Sequence, residues 1–84
     1  MYKYKEQRPY IFTDIGQRDF LKVRDNVQRL LDEAGSFKLL HALKNIYGDS
    51  WLQIAYVDRL VELGEIREIT GKDVPGQCRV FVRA

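Results

Sequence analysis

The chain has 84 residues, 45% apolar and 31% charged, with a net charge of +2; this is enough for one small hydrophobic core and too little for two. A single cysteine, Cys78, excludes a disulfide framework. No apolar run approaches the roughly 18 residues of a membrane span, and the opening Met1-Tyr2-Lys3-Tyr4 lacks the apolar core of a secretory leader, so a soluble cytoplasmic protein with no membrane partner is expected.

Residues 1–12 read as a basic, aromatic arm, in which Lys3, Lys5 and Arg8 outweigh Glu6 and are interleaved with Tyr2, Tyr4, Tyr10 and Phe12. Pro9 argues against a helix here, because it lacks an amide hydrogen and pushes Arg8 toward extended geometry. Residues 13–84 read as one domain. Thr13 or Asp14 can cap its first long helix, with Asp19 an alternative start, and Phe20, Val23, Val27, Leu30, Leu31 and Ala34 recur at helical spacing up to Gly35. Charged residues fill the opposite side.

Ser36 is readable as the cap of the next helix, or Ser36-Phe37-Lys38 as a very short strand. Leu39, Leu40, Leu43 and Ile46 then give a helical stripe, and Tyr47-Gly48-Asp49-Ser50 supplies the glycine and the caps of a tight turn. A further helix starts near Ser50, places Ile54, Val57, Leu60, Val61 and Leu63 toward the core, and stops at Gly64. Ile66 and Ile69 fall in one strand, and Cys78, Val80 and Val82 in another. The segment from Gly71 to Gln77 has the glycines and proline of a hairpin loop. Arg79 and Arg83 share the strand face of Phe81, opposite the valines. That face is expected to be either a basic binding surface or a charged edge.

In chain order, Gly48 followed six and nine residues later by the apolar Ile54 and Val57, together with the exit Leu60-Val61-Glu62-Leu63-Gly64-Glu65-Ile66, resembles a winged helix-turn-helix. The resemblance implies an α+β, mostly α fold of three helices with a C-terminal hairpin wing, and a role in binding nucleic acid. Lys44 departs from the pattern, which prefers a small residue where the two helices approach, so a wider crossing or an outward lysine is expected. The resemblance also implies that Ser50, Trp51, Leu52, Ala55, Tyr56 and Arg59 face the groove.

Charge complicates that reading. Residues 49–63 carry Arg59 against Asp49, Asp58 and Glu62, a net of −2 that repels phosphate. Positive charge surrounds this helix instead: Lys3, Lys5 and Arg8 before it, Lys38 and Lys44 beside it, and Arg67, Lys72, Arg79 and Arg83 after it. Two functions compete. In the first, arm and wing hold duplex DNA while Gln53, Tyr56 and Arg59 read bases, giving a transcriptional or accessory regulator with a homodimer as its natural form. This requires the cations to join into one positive rim. In the second, Trp51, Leu52 and Tyr56 form an apolar and aromatic interface for a protein partner, as in an adaptor or an inhibitor of a host factor. Stacking of unpaired RNA bases on the arm is a weaker third. An enzyme is not expected: Ser50 has no nucleophile-elbow context and no phosphate loop occurs. His41 is the only histidine, Cys78 reads as a small core residue, and neither a metal nor another cofactor is implied.

Overall fold

In a computed structural model describing residues 1–71, 74 and 76–84, the chain runs α1 (Tyr4–Ile11), α2 (Asp14–Ala34), β1 (Ser36–Lys38), α3 (Leu39–Ala42), α4 (Ser50–Glu62), β2 (Ile66–Glu68), a 3₁₀ turn (Gly76–Cys78) and β3 (Val80–Arg83). Helices dominate this α+β fold, and the strands make one antiparallel sheet in the order β1-β3-β2. No helix among the described residues is long and apolar enough to cross a membrane.

The first correction concerns residues 1–12. They form α1 with Pro9 inside it. Pro9 leaves the Lys5 carbonyl without its usual amide partner, but Lys5 is exposed and water can serve. The remaining cost is offset by tertiary contact: α1 lies along α4 and its last residue, Ile11, is fully buried in the common core. A two-residue link then turns the chain into α2. The turn is tight enough that a Cβ built at Gly16 would overlap the carbonyl oxygens of Tyr10 and Ile11.

The start and end of α2 follow local chemistry. The Gly16 amide donates to Thr13 Oγ1 at 3.0 Å, and Gly35 terminates the helix at a φ of +76°. Phe20, Val23, Val27 and Leu31 form its buried stripe, while Ala34 is exposed. Of the two readings of Ser36-Phe37-Lys38, the strand is the one formed.

Only one helical turn, α3, follows, where a longer stripe was expected. Lys38 provides no side-chain cap, and Asn45 adopts a left-handed φ of +64°. Asn26 of α2 reaches across to donate through Nδ2 to the carbonyls of Ala42 (3.0 Å) and Lys44 (3.1 Å), which lie where the helix gives out. Lys44 itself points to solvent.

The second correction concerns β3. Arg79, Phe81 and Arg83 do share a face, but that face is turned toward the helices: Phe81 is fully buried and stacks on Phe37 of β1 with ring centroids 5.4 Å apart. Val80 and Val82 are half-buried on the outer side, and Cys78 is exposed in the 3₁₀ turn. Register explains the choice. Phe81 pairs with both Phe37 and Glu68, so the large ring sits at the centre of the sheet and closes over the core, which a valine could not fill as completely.

Candidate functional site

Asp49 caps α4 by accepting from the amides of Trp51 (2.8 Å) and Leu52 (3.1 Å). From that start, one side of the helix enters the core: Ala55, Tyr56, Val57 and Leu60 are buried. Tyr56, expected to read bases or meet a partner, is 2% exposed and is a core residue; burial, and after it the Asp19 carboxylate, raise its hydroxyl pKa. Gln53 is also committed elsewhere. Its Nε2 donates to the carbonyls of Gly48 (3.1 Å) and Ile46 (3.3 Å), so it holds the turn before α4. Ser50 is exposed, Trp51 is 40% exposed, and Leu52 is partly buried in a recess it shares with Gln7, Tyr10 and Asp49.

The acidic side of α4 is where α1 settles. Glu62 accepts from the Tyr4 hydroxyl (2.8 Å), from Arg8 Nε (3.0 Å) and from Arg59 Nη1 (2.6 Å). The hydrogen bond from Tyr4, followed by those from Arg8 and Arg59, holds the Glu62 carboxyl down to about 2. Tyr4 is in turn pushed up to about 12, first by burial and then by its bond to Glu62. Both guanidiniums also lie over the Phe12 ring, Arg8 at 5.0 Å and Arg59 at 5.1 Å from its centroid. One turn earlier the Tyr2 hydroxyl donates to Asp58 at 2.6 Å, and burial followed by this bond raises its pKa strongly.

The strand arginines are spent in the same way. Arg79 is bonded to Asp58 (2.9 Å) and Glu68 (2.9 Å) above the Phe81 ring. Burial opposes its charge, yet the bonds it donates to Glu68 and Asp58 raise its pKa, and Arg79 in turn lowers that of Glu68. Arg83 reaches Asp32 at 3.0 Å and Gln28 at 3.3 Å on α2. Lys3 and Lys5 are exposed, whereas Lys72 lies outside the described residues. The positive rim required for duplex binding is therefore broken at Arg8, Arg59, Arg79 and Arg83, each of which faces a carboxylate.

Of the expected site, Ser50, Trp51 and Leu52 remain together at the start of α4, Arg8 and Arg59 meet on Glu62, and the other described side chains are dispersed. What the sequence reading missed is the neighbourhood of α3. A groove of about 330 Å³ runs between α3, α4 and the 3₁₀ turn, floored by Leu39, Leu43 and Ile54 and bordered by Ser50, Lys44 and Gln77. Leu40, 58% exposed, stands on its edge, and Tyr47, 80% exposed, lies in the turn beyond α3. A signal for it existed: Leu39 and Leu40 are adjacent, and a single helical turn cannot bury both. Among the described residues no three of His, Cys, Asp and Glu converge as metal ligands would.

Comparison with family models, with curated proteins and with solved structures gave no match to this chain.

Proposed function

We propose that this chain is a winged-helix domain used as a protein-interaction module, docking a partner through the start of α4 and the neighbouring α3. The order helix, strand, helix, helix, strand, strand from α2 to β3, with β3 central in the sheet, supports the winged-helix part of the reading. One observation carries the functional part: α1 lies along α4 and bonds to Asp58 and Glu62, so the helix that would enter a DNA groove is partly covered and has no spare cation. Duplex binding would require Arg8, Arg59, Arg79 and Arg83 to exchange carboxylates they already hold for phosphates. Ser50, Trp51, Leu40 and Tyr47 need no such exchange, and exposed aromatic and aliphatic side chains near a groove have the composition of an interface centre.

Two measurements test this. A salt-titrated binding assay with a mixed-sequence duplex is expected to give weak association with a shallow log–log slope; a slope of several units would establish phosphate neutralisation and overturn the reading. A photo-crosslinking residue substituted at Trp51 and activated in the native cells is expected to yield a discrete protein adduct. Adducts that disappear on nuclease treatment count against it.

A further inference from the structure

Cations and apolar side chains meet at α3. The groove between α3 and α4 contains one charged residue, Lys44, and no carboxylate. Over the ridge made by Leu40 lies a second groove of about 420 Å³ against α2, where Arg29, His41 and Lys44 stand against Glu33 around Leu30. Both grooves share Leu40 and Lys44, so they form one surface with an apolar floor and a basic border. Neither Arg29 nor Lys44 has a carboxylate within ion-pairing distance among the described residues; Arg29 donates only to Asn26 Oδ1, at 3.2 Å. Two exposed cations beside the exposed Leu40, with Glu33 bordering one of the grooves, lack the ion pairs that their counterparts along α4 have.

We infer that α3 and its two flanking grooves bind an acidic amphipathic segment of a partner protein, which rests on the protein-binding reading above. Apolar side chains of the segment cover Leu40, Leu43 and Ile54, and its carboxylates meet Lys44 and Arg29. Charge complementarity selects the occupant: a neutral apolar peptide would bury the two cations unpaired, and a basic one would be repelled. Nucleic acid fits less well, because the grooves are floored by leucine and isoleucine and the one ring lining them is the imidazole of His41.

The test uses the full chain and fluorescence polarisation with two labelled amphipathic peptides, one of leucine and glutamate and one of leucine and lysine. The Leu/Glu peptide is expected to bind roughly tenfold more tightly than the Leu/Lys peptide. Leu40→Asp should weaken it on the order of tenfold, since a buried leucine contact is replaced by a charge. Lys44→Glu should weaken it about threefold, in the range of a border ion pair. Lys5→Glu, on the outer face of α1, should leave it unchanged. Leu40→Ala, which only trims an exposed side chain, serves if the aspartate variant fails to fold. Equal affinity for both peptides, or indifference to the Leu40 substitutions, overturns the inference. If the Leu/Glu peptide fails to bind while crosslinking from position 51 still gives a protein adduct, the acidic segment is wrong and the module stands. If duplex binding with a steep salt slope replaces both, the two readings fall together.

Discussion

Two flanks of α4 differ in how their charges are used. Along the α1 flank, cation and carboxylate are matched: Arg8 and Arg59 on Glu62, Arg79 on Asp58 and Glu68. Along the α3 flank, Lys44 and Arg29 stand beside the exposed Leu40 with no carboxylate within ion-pairing distance among the described residues, although Glu33 borders the same groove. A net charge of +2 thus conceals a sorted surface. Where opposite charges pair within the chain they fasten one helix to another; where they stay single, they are left for something outside it.

The sharpest way to break this comparison is to ask whether α1 belongs to the fold. Ile11→Ala removes a fully buried side chain, so a loss of about 2–5 kcal/mol is expected in chemical denaturation. A change near zero would make α1 a loose arm and erase the contrast. Arg79→Ala comes next. It leaves Asp58 and Glu68 without their guanidinium at a half-buried position, and about 1–3 kcal/mol should be lost, whereas a neutral result would mean that the paired flank is merely solvated.

A third prediction concerns acid. The Glu62 carboxyl is held at about 2 against an ordinary 4.5, so its folded pKa is depressed and its contribution is complete above 4.5. That contribution fades as pH falls from 4.5 toward 2 and Glu62 takes up a proton. Thermal melts of the wild type should decline across that window more steeply than those of Glu62→Gln. Parallel curves would remove Glu62 as a fastener. The smallest effect is expected on the other flank, where Leu40→Ser should change stability within about 0.5 kcal/mol. A larger loss would assign Leu40 to the core and not to a binding surface.

Much of the architecture was legible because it is written locally. Thr13, Gly35, Asp49 and Gly64 start and stop helices through their own backbone or side chains, and the structure uses all four at those positions. Residues governed by distant partners were not legible. Pro9 signals an extended leader when read with its neighbours, and only Ile11 in the core and the acids of α4 make a helix there worthwhile. The alternation held from Val80 to Arg83, with Cys78 left in the turn before the strand, but its direction was not legible: small residues outnumber one ring, and it takes Phe37, from a strand over forty residues earlier, to draw Phe81 inward. For the candidate site, Ser50, Trp51 and Leu52 could be found from helix phase. Tyr56, Gln53 and the arginines could not, because their fates depend on the packing of the core, the Ile46 and Gly48 carbonyls, and carboxylates from three elements, α2, α4 and β2.

Asn26 sits on the long helix α2, and its amide grips the two carbonyls where α3 ends. One helical turn is too short to sustain itself, so the shape of that region is dictated in part by a residue of the neighbouring long helix. Replacing it with leucine, similar in size but unable to donate, would slacken the scaffold beneath Leu40 and Lys44 and would also release Arg29 from the Asn26 side-chain oxygen. Affinity at this face can therefore drift through a substitution that changes what holds the binding side chains and not the side chains themselves.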